Sequence, residues 1–169
     1  MRKLKVHRIS VLLLLSLGCG ARVLAAELDI APLFAGYERG CGISGVAERL
    51  VVWTNPDGKD RLPSADALPA VWWSHVGKPV VSDQADHWYV RVPLRQVRFR
   101  GLQVVRLERW YGKGSGISGW SLVLAVPLVE ARRHIDEREF TLDESGNFKP
   151  ELSADEDGRH THLVCDVSM

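Results

Sequence analysis

Three glycines in the middle of the chain stand in a G-x-G-x-x-G pattern, Gly114-Ser115-Gly116-Ile117-Ser118-Gly119. In a dinucleotide site such glycines let a pyrophosphate approach the first turn of a helix that follows a strand. Here Trp120 to Val126 read as a strand that ends at Pro127, so no helix starts where phosphate binding needs one. We therefore expect no nucleotide cofactor, and we interpret Gly112 to Gly119 as a hairpin tip that contacts a partner.

Histidines and carboxylates near the C-terminus offer ligands of the kind that bind zinc. His160 and His162 are two residues apart on an expected strand, which directs both imidazoles to one face, and Asp155 and Asp157 precede them. We expect the nearby Cys165 to be oxidised, and no third ligand lies at a spacing typical of zinc sites. The sequence therefore favours exposed strand histidines and no metal.

No catalytic motif is present in the sequence. It contains neither a nucleophile elbow nor a Ser-x-x-Lys motif, and His75, His87 and His134 have no catalytic partner nearby in sequence. A triad can still be assembled from residues that lie far apart in the chain. We assign no catalytic residue, and the sequence favours a protein without enzymatic activity.

Charge is distributed unevenly along the chain. Residues 91–113 include seven basic residues and one acidic residue, whereas residues 136–157 include nine acidic residues and two basic ones. Arginine and aromatic side chains are enriched at protein interfaces, so the basic segment and the hairpin tip predict a binding surface. The candidate binding residues are Arg98, Arg100, Arg106, Arg109, Trp110, Tyr111, Lys113, Ser115 and Ile117. The alternative is that the two charged segments neutralise each other within the fold.

Tryptophan is abundant, with six residues, and Trp72 and Trp73 are adjacent. On a strand, one of two adjacent side chains would be exposed and would mark a ligand surface. On a loop or at the start of a helix both can be buried, which is the interpretation that we prefer.

The first residues have the pattern of a secretion signal. Basic residues precede an apolar run from Ile9 to Leu17, which is too short to span a membrane, and small residues near Ala25 suit cleavage after that position. We expect residues 1–25 to be removed and residues 26–169 to form one domain without a membrane span, in the periplasm or outside the cell. An uncleaved anchor and lipidation at Cys19 are the alternatives.

Removal of the signal changes the charge and the cysteine content. It leaves 17 basic against 21 acidic residues, a net charge of −4, which disfavours a globally basic nucleic-acid binder. Cys41 and Cys165 are then the remaining cysteines. An even pair in an exported protein predicts a disulfide.

The residue pattern predicts an α+β fold with an antiparallel sheet and one or two helices, in a single disulfide-closed domain. Strands are expected at 88–92, 97–100 and 102–111, and the last of these pairs with 120–126 in a hairpin. Further strands are expected at 139–142, 148–152 and 162–165. Residues 44–51 fit a helix, residues 50–53 fit a strand equally well, and residues 55–58 form a turn.

Two elements carry predictions about side-chain direction. In the strand 102–111, alternation places Arg106, Glu108 and Trp110 on the face opposite to Val105, Leu107 and Tyr111. After Pro127 a helix begins, and its buried stripe consists of Leu128, Ala131 and Ile135.

These features together predict an exported, non-enzymatic binding protein of the bacterial envelope, of the inhibitor or immunity type. Its expected partner is another protein or an envelope polymer, and no motif is specific enough to name a family. A periplasmic hydrolase acting on an envelope polymer is the first alternative, and a structural or assembly lipoprotein is the second. The sequence indicates no cofactor, no nucleic-acid partner and no particular oligomeric state.

Overall fold

The computed structural model describes residues 26–43, 68–114 and 116–169. These residues form one seven-stranded sheet and one short α-helix. The strands are β1 (Leu28–Asp29), β2 (Val80–Asp83), β3 (His87–Phe99), β4 (Leu102–Gly112), β5 (Ser118–Leu124), β6 (Glu151–Ala154) and β7 (Thr161–Asp166), and the helix is α1 (Leu128–His134). Short 3-10 helices cover Ala31–Phe34, Ala70–Trp72 and Glu137–Glu139. Within the described ranges, no helix is long and apolar enough to cross a membrane.

Several sequence predictions lie outside the described residues. They are the signal at 1–25, the segment 44–51, the turn at 55–58 and the candidate binding residue Ser115.

The strand order is β1-β3-β4-β5-β7-β6, and β2 pairs with β3 beside β1. The prediction of a purely antiparallel sheet was wrong for one pair of strands, because β1 runs parallel to β3 with Leu28 opposite Val97. A strand of two residues is too short for an alternation pattern, so its sequence carries no sign of its partner or direction. The broader prediction of an α+β fold fits the structure.

One continuous strand, β3, replaces the two strands predicted at 88–92 and 97–100. Its register against β4 shifts between Pro93 and Val97, and Gln96 adopts a positive φ of 54° in this bulge. Proline and a positive φ are typical of strand breaks in sequence, but a bulge accommodates both without ending the strand. Within the bulge, the backbone N–H of Arg95 donates a 2.8 Å hydrogen bond to the carbonyl of His75, so this N–H has a partner outside the β3–β4 pairing.

The predicted β4–β5 hairpin is confirmed, with Arg109 opposite Trp120 and Trp110 opposite Gly119. A register shift between Val104 and Arg106 interrupts the alternation at Val105. From Arg106 onward the residues alternate between the two faces of the sheet as the sequence predicts.

The helix predicted after Pro127 is also confirmed as α1. Ala131 and Ile135 are buried, and Leu128 is partly buried against the core. Glu130 lies in the first turn, and the basic residues 132–134 lie in the last turn, where the helix dipole favours each charge.

The core lies on one face of the sheet, beneath the N-terminal segment. The ring of Tyr37 meets Trp120 of β5 edge-on, with 4.5 Å between ring centroids, and its hydroxyl donates to the carbonyl of Leu163 at 2.7 Å. The predicted disulfide is confirmed: Cys41 is bonded to Cys165 of β7 across 124 positions of sequence. The bond therefore ties the N-terminal segment to β7, the strand next to the β6 edge of the sheet.

Trp72 is buried, whereas Trp73 is 53% exposed, so the prediction that both are buried was wrong. The pair stands at the end of a 3-10 helix, where successive side chains point in different directions. The indole N–H of Trp73 donates to the carbonyl of Leu68 at 3.0 Å, so the ring lies over the surface.

Candidate functional site

Side chains of four neighbouring strands meet on the face of the sheet opposite the core, which we call the outer face. Register pairs Arg91 of β3 with Glu108 of β4, and Glu108 with Ser121 of β5. Cross-strand partners point to the same side of a sheet, so these side chains are neighbours. His162 of β7 lies opposite Val123, one step further along the same face.

Glu108 is the centre of this arrangement and is only 1% exposed. Its carboxylate accepts hydrogen bonds from the Tyr89 hydroxyl and from Arg106 Nε, the latter at 2.6 Å. Arg91 Nε lies 3.7 Å away, and His162 Nδ1 lies 3.4 Å away. The outer-face cluster is the set that surrounds this carboxylate, namely Tyr89, Arg91, Arg106, Glu108, Ser121 and His162.

The cluster keeps Glu108 ionised. Burial by itself would raise the pKa of Glu108, but hydrogen bonds from His162, Tyr89 and Arg106 outweigh it and lower the pKa to about 2. The same burial, together with the hydrogen bond to Glu108, raises the pKa of Tyr89. At neutral pH the cluster therefore contains a buried carboxylate, a neutral phenol and two guanidinium groups.

An open groove of about 570 Å³ runs between the outer-face cluster and the turn that joins β6 to β7. One side is basic, with Arg91 and Arg106, and the other is acidic, with Asp155, Glu156 and Asp157. The groove is within the size range of small-ligand sites in proteins, and its two sides differ in charge.

The two histidines predicted to share a face have different partners. His162 contacts Glu108, whereas His160 Nδ1 lies 2.8 Å from Asp155 Oδ2, just before β7 begins. Asp155, Asp157 and His160 place three potential metal ligands within 4.8 Å of one another. Burial by itself would raise the pKa of Asp155, but hydrogen bonds with the His160 backbone, the Asp157 side chain and the His160 side chain lower it to about 2. These contacts already satisfy the cluster, so its geometry does not by itself indicate a metal.

Ser121, His162 and Glu108 are residue types found in hydrolase triads, but their atoms are in a different order. In a triad the acid binds one imidazole nitrogen and the nucleophile binds the other. Here Ser121 Oγ lies 3.4 Å from His162 Nδ1, and Glu108 lies 3.4 Å from the same nitrogen. Ser121 is also buried. This geometry orients a network of hydrogen bonds and does not activate an exposed hydroxyl.

Two predicted binding residues, Arg106 and Trp110, lie on the outer face. The Trp110 ring stacks on Tyr89, with 6.3 Å between centroids and 16° between ring planes. Gly119 lies beneath this ring, and a Cβ built on Gly119 would come within 2.2 Å of it. Trp110 therefore extends the outer-face cluster towards the hairpin tip.

Arg109 and Tyr111 lie on the other side of β4. Arg109 donates to the Gly119 carbonyl and to Ser118 Oγ, each at 3.1 Å, while its buried Nε has no hydrogen-bond partner among the residues that the structure describes. Burial lowers the pKa of this guanidinium. The Tyr111 ring packs on Trp88 at 5.2 Å. Arg109 links the two strands of the hairpin and Tyr111 packs β4 against β3, so the structure does not bring either residue to the surface that carries Arg106.

Arg98 and Arg100 lie at the opposite end of the sheet from the hairpin tip. Arg98 binds Glu27 through two hydrogen bonds, and Arg100 pairs with Glu38 and, at 3.8 Å, with Glu139. Because β4 is 11 residues long, this end is about 35 Å from the tip. The structure thus does not bring these two arginines together with Arg106.

The hairpin tip is supported from two sides. Lys113 pairs with Asp83 and lies 5.0 Å from the centre of the Trp88 ring. On the other arm, the carbonyl of Ile117 accepts a 2.6 Å hydrogen bond from the N–H of Gly112, and Met169 N–H donates to the Gly116 carbonyl. The predicted residues Lys113 and Ile117 therefore lie at a braced tip near Trp110.

The sequence interpretation did not identify Tyr89, Arg91, Ser121 or His162 as members of one site. Alternation along β3 places Tyr89 and Arg91 on one face, which was a usable signal. Their association with Ser121 and His162 depends on the strand order, which local sequence does not contain.

Comparison with known proteins gives no relative from which a function could be transferred. No protein family matches the chain, and no curated protein or solved structure matches it.

Proposed function

We propose that this chain is an exported, non-enzymatic binding protein of the bacterial envelope, of the inhibitor or immunity type. Its macromolecular partner docks on the outer face of the sheet, beside the hairpin tip. The observation that carries the proposal is the buried carboxylate of Glu108, which orients Arg91 and Arg106 at the surface of an open groove.

The two arginines retain donors for a partner. The Arg106 and Arg91 side chains are 31% and 51% exposed, and each directs its Nε towards Glu108. Their terminal nitrogens make no hydrogen bond within the described residues. Arg106 is held at Nε by a hydrogen bond while its outer edge stays free, so binding orders little additional side chain at this residue.

The distribution of ion pairs also supports a binding surface. The alternative was that the basic segment 91–113 neutralises the acidic segment 136–157. Within the described part of the chain, Arg100–Glu139 is the only ion pair that joins the two segments. The two segments therefore do not neutralise each other, and Asp136, Glu137 and Asp157 pair instead with basic residues outside 91–113.

Export is supported by the disulfide, which is typical of proteins in oxidising compartments. A periplasmic or secreted location follows from the proposal together with the signal pattern at 1–25. The lipoprotein alternative depends on modification of Cys19, which mass spectrometry of the exported protein would detect.

The hydrolase alternative has one observation in its favour, which is the association of Ser121, His162 and Glu108 beside a groove. It predicts that purified protein cleaves an envelope polymer and that Ser121→Ala abolishes cleavage. The shared contact at His162 Nδ1 favours binding over catalysis.

The test of the proposed function begins by capturing the partner from an envelope extract and then measures its affinity in purified form. Arg106→Ala and Trp110→Ala should each weaken binding by about 1 to 2 kcal/mol, roughly 5- to 30-fold in Kd. Arg132→Ala on α1 is the matched control, because Arg132 is exposed and also pairs with a carboxylate, Glu137. Folded Arg106→Ala/Trp110→Ala protein that binds with unchanged affinity would overturn the proposal.

A further inference from the structure

We propose that the groove recognises a short peptide segment carrying both a carboxylate and an amine, with the carboxylate on Arg91 and Arg106 and the amine on the acidic side. This inference rests on the proposed function and names the chemistry of the partner at that site.

The basic side of the groove has the geometry of a carboxylate clamp. Arg106 is fixed by its 2.6 Å hydrogen bond to Glu108, and the guanidinium of Arg91 lies over the Tyr89 ring at 4.8 Å from the centroid. Both planar groups are therefore restrained, and both keep terminal N–H donors free. Restrained guanidinium groups match the two oxygens of a carboxylate through paired hydrogen bonds.

The single carboxylate of Glu108 holds the charge of only one of these two arginines in balance. On the basic side of the groove, the Glu108 carboxylate faces the two guanidinium groups of Arg91 and Arg106, so that side carries one positive charge in excess, while Asp155, Glu156 and Asp157 line the other side. A monoanion placed between Arg91 and Arg106 would neutralise the basic side. A ligand carboxylate thus completes the ion-pair network on the groove side.

The acidic side of the groove selects against a doubly charged anion. Asp155 is occupied by His160, and Asp157 is exposed but pairs with the Arg159 guanidinium and accepts a hydrogen bond from the Arg159 N–H, whereas Glu156 is exposed and makes no hydrogen bond or ion pair within the described residues. These carboxylates would repel a phosphate dianion and attract an amine. The opposite charges on the two sides favour a dipolar ligand, and the space of about 570 Å³ is sufficient for a short peptide.

The experiment is an NMR titration of ¹⁵N-labelled protein, following the Nε–Hε signals of the arginines and the amides of residues 155–157. The first probe is the blocked peptide acetyl-Glu-Ala-Ala-Lys-amide. Its matched controls replace Glu by Gln or Lys by Gln, and the fourth probe is inorganic phosphate. The dipolar peptide should bind at least fivefold more tightly than either matched peptide and more tightly than phosphate.

Protein variants assign the binding to the clamp. Arg91→Lys and Arg106→Lys keep the charge and most of the packing but lose the planar fork, so each should weaken peptide binding severalfold while the amide spectrum stays folded. Arg132→Lys should bind as the wild type does. Equal or tighter binding of phosphate, equal binding of the Gln-containing peptides, or unchanged binding by both clamp variants would overturn the inference.

The outcomes separate this inference from the proposed function. If no probe binds but partner affinity still depends on Arg106, the peptide chemistry is wrong and the binding function stands. If the dipolar peptide binds but Arg106→Ala and Trp110→Ala leave partner affinity unchanged, the groove takes a peptide and the proposed docking surface is wrong.

Discussion

Arg106 and Glu108 lie two positions apart on β4, and Arg106 Nε donates a 2.6 Å hydrogen bond to the Glu108 carboxylate on the outer face of the sheet. Arg109, only three residues further along the chain than Arg106, lies on the opposite side and binds the backbone of its own hairpin. Two arginines of one basic segment therefore lie in different environments, and the following predictions distinguish an effect on binding from an effect on stability.

Glu108→Gln should lower stability at neutral pH by roughly 1 to 3 kcal/mol, because a buried charge-assisted network loses its central acceptor. This difference in stability between Glu108→Gln and the wild type should become smaller as the pH falls. The pKa of Glu108 falls from an ordinary value of 4.5 to about 2 on folding, so its ionisation stabilises the fold above pH 4.5, and this contribution is lost as pH falls towards 2. Urea unfolding from pH 7 to pH 2.5 measures the difference. Glu156→Gln is the exposed control, and a difference for Glu108→Gln that does not change with pH would contradict the prediction.

Arg109→Ala should lower the free energy of unfolding by roughly 1 to 3 kcal/mol, because the Gly119 carbonyl and Ser118 hydroxyl lose a charged donor. Arg106→Ala should change partner affinity more than Arg109→Ala does at temperatures where both are folded. Thermal unfolding and calorimetric binding of the same samples separate the two effects. If Arg109→Ala unfolds like the wild type but loses its partner, Arg109 is a contact residue.

Gly119→Ala should destabilise the hairpin by roughly 1 to 3 kcal/mol, because the new methyl group overlaps the Trp110 ring at 2.2 Å and approaches the Cys165 carbonyl at 2.7 Å. Adding Trp110→Ala should remove part of this cost, since the ring no longer clashes and only the carbonyl contact remains. A double-mutant cycle in urea measures the coupling. Additive effects of the two substitutions would show that the ring does not occupy this position.

Reduction of the Cys41–Cys165 bond should lower stability by roughly 2 to 5 kcal/mol, because the bond closes a loop of 124 residues in the unfolded chain. Urea unfolding of oxidised protein and of Cys41→Ala/Cys165→Ala measures the loss. Thiol titration of the denatured, unreduced protein should find no reactive cysteine in the mature chain. Two free thiols would contradict the disulfide.

The exported protein should begin at Ala26, because the apolar run is short and small residues precede the proposed cleavage position. Intact-mass measurement of protein from the cell envelope tests this. A lipid-modified Cys19 would support the lipoprotein alternative, and a retained Met1 in the membrane would support an uncleaved anchor.

Some features of this protein follow from its sequence because they depend on neighbouring residues or on simple counts. Pro127 and the apolar spacing after it predict α1, and the alternating run up to Tyr111 followed by glycines predicts the β4–β5 hairpin. The disulfide follows from the number of cysteines left after the signal. Each of these features is predicted from about ten neighbouring residues or from the composition, so its prediction does not require the tertiary structure.

Other features were decided only by the tertiary structure, because they depend on which distant strands become neighbours. Tyr89, Glu108 and His162 meet only because β3, β4, β5 and β7 are adjacent in the sheet. Alternation predicted that Arg106 and Leu107 face opposite sides, but the packing of Tyr37 against Trp120 defines which side is the core and leaves Glu108 on the other. The bulge in β3 and the parallel pairing of β1 likewise depend on contacts across the sheet. Local sequence specifies the direction in which a side chain points, whereas the neighbours that it finds there are set by the fold.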